Sequence, residues 1–156
     1  MVTTVAFLIA RALWWEGPAY VIAIGVLLGQ LIVGWTNDLH DYADDLKHNR
    51  TSKPLVSGLI TTKQLRTAIF VVLPLAVIVN LFGPLGLKGG AVYLLGIGFG
   101  LAYNFYFKFT ALSPLPYVIA FAALPASIVL AVDKTPPLWL MAVGSLLGIA
   151  AHIANV

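Results

Sequence analysis

The 156-residue sequence contains no cysteine. Disulfides, thiolate metal sites and thiol nucleophiles are therefore excluded. Charge is scarce too: 10% of residues are Asp, Glu, Lys or Arg, where an ordinary soluble domain has about 25%. Hydrophobic residues make up 60% and mean hydropathy is +0.95. A soluble fold of this size leaves roughly a third of its unfolded-chain surface in water. It could not hide so much apolar area, so lipid is the expected solvent. No long basic stripe or RNA-binding motif is present, so the net charge of +3 suits an anionic membrane surface and not nucleic acid. Alternating segments of about ten residues, the mark of a membrane β-barrel, are missing as well.

What the sequence does have is six apolar segments: Val2–Trp15, Ala19–Thr36, Leu65–Phe82, Gly89–Phe107, Pro114–Val132 and Pro137–Val156. Most approach the ~20 residues needed to cross the hydrocarbon core. Helices satisfy their own backbone hydrogen bonds in lipid, so the expectation is an all-α, polytopic transmembrane helix bundle in one domain, residues 1–156. The first segment is short and holds Arg11, and "RALWWEGP" lacks a small-residue cleavage site. It reads as the end of a spanning helix and not as a signal peptide. The connections "EGP", "FGPLGLKGG", "LSPLP" and "DKTPP" are Gly/Pro turn signals, while Pro74 and Pro125 read as kinks tolerated inside helices.

Charge asymmetry predicts the orientation. With the second connection in the cytoplasm, the inner side collects Lys47, Arg50, Lys53, Lys63, Arg66 and Lys108, and the outer side Arg11, Lys88 and Lys134. Trp14, Trp15 and Trp139 then fall at the outer interface, where aromatic belts form.

One stretch stands apart. In "VGWTNDLHDYADDLKHNRTSKPLVSG", Val33–Gly58, four of the six acids of the chain crowd together: Asp38, Asp41, Asp44 and Asp45. Projected on a helix, these and Asn37 occupy one arc of about 120°. Gln30 and Gly34 continue that face deeper into the apolar run, and Trp35 lies opposite. Carboxylates on one face repel each other unless cations neutralise them. Oxygen ligands without cysteine favour a hard ion, Mg²⁺ or Ca²⁺. The calcium-loop pattern is not matched, and Mg²⁺ commonly shares its shell with substrate phosphates. Arg50 and Lys53, just downstream, suit phosphate oxygens. The set suits departure of a diphosphate. A plain solvated helix end, with pairs such as Asp44 and His48, is the simpler alternative. His40 and His48 read as solvated, and "NRT" at Asn49–Thr51 is a sequon that a cytoplasmic loop would not use.

"NDLHDYADD" resembles the first aspartate-rich motif, N-D-x-x-D-x-x-x-D, of the UbiA-type membrane prenyltransferase superfamily, with Asn37, Asp38, Asp41 and Asp45 on its positions. "NRTSKPLVSG" is similar to the continuation R-x-x-[RK]-P-[LI]-x-x-G, matched by Arg50, Lys53, Pro54, Leu55 and Gly58. "AYNFYFKFTALSPLP" resembles the later tyrosine-plus-base loop, with Tyr103 and Lys108 on it. The resemblance implies a nine-helix fold, of which about six helices are present, and an intramembrane transferase. That enzyme moves a polyprenyl group from its diphosphate to a lipid or aromatic acceptor with Mg²⁺. Asn37, Asp38, Asp41 and Asp45 would bind metal, the three aspartates being catalytic. Arg50, Lys53 and Lys108 would bind the diphosphate, and Gln30, Tyr103 and Asn104 the substrate. Tyr42, Phe105 and Tyr106 would add aromatic faces near the same level.

The family carries a second aspartate-rich motif on a later helix, whereas the only acid after Asp45 is Asp133, on the predicted outer side. "LLGIAAHIANV" resembles the helix leading into that motif, with His152 and Asn155 approaching it. The expectation is a chain truncated at both ends, holding half a diphosphate clamp. Two other readings are a small transporter or cation-binding membrane protein, and a non-catalytic lipid-binding remnant. The residues name neither acceptor, prenyl length nor oligomeric state.

Overall fold

Each of the six apolar segments forms a helix in the structure, a computed structural model that describes residues 1–13 and 16–155, with Glu16 described in its backbone alone. Trp14 and Trp15, expected at the outer interface, lie outside the described residues, as does Val156. In order come α1 (Val2–Leu13), α2 (Glu16–Lys47), α3 (Thr62–Phe82), α4 (Gly86–Ala102), α5 (Pro114–Leu130) and α6 (Leu138–Asn155). A single π-helical turn, Tyr103–Phe107, extends α4. Among the described residues there is no strand.

Local chemistry sets the helix ends. Asn49, at φ 50°, takes the left-handed conformation that stops a helix just past α2. Thr61 and Gln64 form a reciprocal capping box at the start of α3. Pro114 opens α5, where a missing N–H does no harm. Pro74 and Pro125 lie within continuous helices.

Among the described residues, four helical stretches are long and apolar enough to cross a membrane: Gly17–Lys47, Thr62–Phe82, Gly86–Phe107 and Leu138–Asn155. Large apolar side chains such as Phe70, Phe82, Leu138 and Ile153 point outward, a surface that lipid solvates and water does not. The chain is an integral membrane protein.

α5 is apolar on every side, and a helix of that kind belongs in the interior. Its residues 123–129 are all buried. It packs against α1, α4 and α6, while α4 packs on α2 and α1 on α2. These contacts close a ring of α1, α2, α4 and α5 around a core that includes Ile22, Val26, Tyr93, Ile97, Leu124 and Ile128. α3 lies outside against α2 and α4, and α6 outside against α5.

Two polar ties fix α2, one from α3 outside the ring and one from α4 within it. Asn80 Nδ2 donates to the Gly25 carbonyl at 3.1 Å, and the Tyr93 hydroxyl donates to the Val26 carbonyl at 2.9 Å. The second tie depends on Gly29, since a Cβ there would collide with the Tyr93 hydroxyl. In an apolar medium such bonds have little water to compete with them.

Candidate functional site

α2 and α6 both border one cavity of about 310 Å³ without touching each other. α4, the π turn and α5 form the wall between them. The polar stripe read on α2 faces this space: Gln30, Gly34 and Asn37 line it. The π turn contributes Tyr103 and Asn104, and α5 contributes Tyr117 and Phe121.

The acids sit at the end of α2, and each of the inward ones meets a base. Asn37 Nδ2 donates to Asp41 Oδ2 at 3.0 Å. Lys108 Nζ donates to the same carboxylate oxygen and, at 3.3 Å, to Asn37 Oδ1. Lys53 Nζ lies 3.2 Å from Asp38 Oδ1 and 2.7 Å from Asp45 Oδ2. Arg50 Nη1 donates to Asp45 Oδ1 at 2.9 Å. Asp45 is thus 1% exposed, with both oxygens against cations.

Chain geometry explains how distant residues meet. In the π turn the Lys108 N–H bonds to the Tyr103 carbonyl, five residues back, at 3.0 Å. A π turn inserts one residue into the helical register, and it leaves Lys108 at the Asn37–Asp41 pair. Asn104 Nδ2 anchors the turn on α2 through the Val33 carbonyl at 3.0 Å. Arg50 and Lys53 come from the connection after α2. Gly58 closes that connection at φ 75°, a conformation that suits glycine and strains other residues.

Burial pulls the Lys53 ammonium towards a lower pKa, but its bonds to Asp45 and Asp38 outweigh this and hold it above the ordinary lysine value. Lys53 is therefore kept charged by the acids it meets.

The structure brings together Asn37, Asp38, Asp41, Asp45, Arg50, Lys53 and Lys108 at the end of α2, where Asn37 alone of them also lines the cavity, and Gln30, Tyr103 and Asn104 along the cavity. It does not bring in Asp44, which points outward, 61% exposed, and pairs with His48 at 3.3 Å. His40 Nδ1 approaches Asp41 Oδ1 at 3.4 Å. Phe105 and Tyr106 are exposed and do not line the cavity. Reading the sequence missed Tyr93 and Tyr117 as lining residues. Their one signal was a hydroxyl inside an apolar span.

A hard divalent cation asks for oxygen donors. Asn37, Asp38, Asp41 and Asp45 supply oxygens only, so the donor chemistry fits. Among the described residues, however, no three acidic or histidine side chains converge into a finished cage. Lys53 and Lys108 stand where an ion's charge would, and a metal would have to share the acids with them.

A model of the UbiA prenyltransferase family matches residues 1–155. No curated protein and no solved structure matches the chain.

Proposed function

The chain belongs to the UbiA prenyltransferase family, and we propose that it moves a polyprenyl group from its diphosphate to a lipid or aromatic acceptor inside the membrane. Membership supports a membrane prenyltransferase in general; the residue roles are our own reading. One observation carries it. An acid-and-base cluster at the end of α2 adjoins, through Asn37, a chamber whose described lining is uncharged and mostly apolar and aromatic.

Breaking the allylic C–O bond sends an electron pair out with the diphosphate. The barrier falls when that developing charge is met by fixed positive groups. Arg50, Lys53 and Lys108 would bind the diphosphate oxygens, exchanging their carboxylate partners for phosphate. Asn37, Asp38, Asp41 and Asp45 would hold Mg²⁺, which when bound neutralises leaving-group charge. Asp45 has a second task, since its two ion pairs hold Arg50 and Lys53 against α2.

The prenyl group left behind is electron-poor and reacts with water unless water is kept out. The apolar lining residues Val33, Ile97 and Leu124 do that. Gln30, Tyr103 and Asn104 would orient the substrate, and aromatic faces such as Tyr103 stabilise positive charge near them. The acceptor then forms the new bond and loses a proton. The excess of Lys and Arg around this end of α2 supports a cytoplasmic orientation for it.

A transport path does not suit the mid-span polar groups. Asn80 and Ser127 donate to helix carbonyls at Ala76 and Leu124, at 2.7 Å each.

The test is turnover by the protein in liposomes, with labelled prenyl diphosphate, Mg²⁺ and a panel of acceptors. Asp41→Asn is expected to lower transfer by about a hundredfold or more. Transfer at the wild-type rate in that variant would remove Asp41 from the reaction.

A further inference from the structure

α2 and α4 run side by side in the same direction, and their contacts climb in step. The Tyr93 hydroxyl donates to the Val26 carbonyl, Ile97 lies against Gly29, and Gly100 lies against Val33. Asn104 Nδ2 then donates to the Val33 carbonyl, and Lys108 Nζ to Asn37 and Asp41.

The last of these steps crosses the π turn. In α register the Phe107 N–H would bond to the Tyr103 carbonyl, and Phe107 would stand where Lys108 does. The inserted residue gives that place to Lys108, whose N–H makes the bond at 3.0 Å. Without the insertion, Lys108 would be carried about 100° further round the axis, away from Asn37 and Asp41.

The π register is the rare one, so contacts outside the turn have to select it. Tyr103 packs edge to face on Tyr117, with centroids 4.9 Å apart, which fixes the helix where the turn begins. Phe105 meets the His40 ring at 5.7 Å, but it is half exposed. Asn104 is 2% exposed, and its amide reaches a carbonyl 71 residues away in the chain, at 3.0 Å. Gly100, one turn earlier, lets the helix come that close. A Cβ there would press on the Val33 side chain at 3.1 Å.

We propose that Asn104 is a positioning residue: by holding the π turn against Val33, it sets Lys108 on the Asn37–Asp41 pair. A lysine is a point charge on a flexible stem, so its root has to be fixed if its charge is to be aimed. What Lys108 does there rests on the prenyl-transfer reading. Where it stands rests on the contacts alone.

The test separates the two. The chain has no cysteine, so Asp41→Cys together with Lys108→Cys gives a pair read without interference. In the full chain in lipid nanodiscs, a short bifunctional thiol reagent should join them. Asn104→Ala deletes the donor and should lower the joined fraction about threefold or more. Deleting Tyr106, which is 76% exposed, then shortens the turn by the inserted residue. Lys108 returns to one α turn after Tyr103, and joining should recover to within about twofold of the starting pair. With Asp41 and Lys108 native, Asn104→Ala should lower kcat per folded protein about tenfold or more, and the same deletion should restore most of it. A merely structural role predicts that the deletion adds to the loss. Asn104→Leu also lacks the donor and fills the space, and it carries the test if the smaller side chain unfolds the protein. Full joining in the Asn104 variants, a deletion that restores nothing, or turnover within about twofold of wild type in Asn104→Ala overturns the proposal. If joining follows the expected pattern while the native chain transfers no prenyl group to any acceptor, the transferase reading fails and the placement of Lys108 stands.

Discussion

Replacing Asp45 with Asn tests whether the mouth is held together by its ion pairs. The Asp45 side chain is 1% exposed, with Arg50 Nη1 at 2.9 Å and Lys53 Nζ at 2.7 Å. Removing one partner of a fully buried pair costs about 3–5 kcal/mol. Here that figure is too large, because Arg50 is 53% and Lys53 28% exposed, so water recovers much of their charge. Exposed pairs are worth about 0.2–1 kcal/mol each. Asn also keeps an oxygen that can accept from Arg50. Between these limits, the loop after α2 loses about 1.5–2.5 kcal/mol of attachment. At about 1.4 kcal/mol per factor of ten, its detached form becomes roughly 10 to 60 times more populated.

Trypsin reads this directly at Arg50, one of the two residues released; Lys53 precedes Pro54 and is not cut. When opening is fast, the cleavage rate tracks the open population. Asp45→Asn in detergent micelles should be cut after Arg50 at least about tenfold faster than wild type. Asp44→Asn is the control. That side chain is 61% exposed and pairs only with His48, so its cleavage rate should stay within about twofold. If Asp45→Asn is also within twofold, the ion pairs do not hold the loop and the reasoning fails.

The Lys53 pairing sets a pH window. Its folded pKa is raised, so its contribution is complete below the ordinary value of 10.5 and is lost only as pH climbs through the higher folded value. Loop resistance to an alkaline-tolerant protease should therefore be flat from about pH 7 to 10; loss already near pH 8 would contradict the pairing. Gly148→Leu drives a side chain into the Tyr117 carbonyl on α5. It should cost about 1–3 kcal/mol and lower the thermal midpoint in detergent by several degrees. Gly98→Ala, with open space at the same atom, should be neutral or slightly stabilising. Chelating divalent cations should abolish prenyl transfer, and Mg²⁺ should restore it, since Asn37, Asp38 and Asp41 offer oxygen alone.

All six helices were legible in the sequence for one reason. Lipid forces backbone groups to bond within the segment, so a long apolar run has few alternatives to a helix. The acidic face was legible as well, because Asn37, Asp41 and Asp45 recur at the helical repeat and α2 continues unbroken to Lys47. The neutralisation of those acids was not. Lys108 stands 67 residues from Asp41, and it arrives through a π turn that no residue pattern in "YNFYF" announces. Tyr93 and Tyr117 escaped notice because lining a cavity depends on how α4 and α5 rotate in the ring. That rotation is fixed by contacts with other helices and not by local spacing.

The pairing of acids with bases changes what the mouth has to do when a substrate arrives. Asp38, Asp41 and Asp45 carry three negative charges, and Arg50, Lys53 and Lys108 carry three positive ones, so the cluster sums to zero before anything binds. Three bare carboxylates at the edge of lipid would repel one another and pull water into the chamber. With the bases in place, that repulsion is offset. On the proposed reading, a diphosphate carried with divalent cations would exchange one balanced set of charges for another. Lys53 and Lys108 would then need only to turn from carboxylate to phosphate, a short rearrangement of flexible side chains that are already partly buried. A preorganised site is one whose groups are in position before the reaction demands them. On the proposed reading, the acids would act as placeholders for the leaving group and keep the cations at the end of α2.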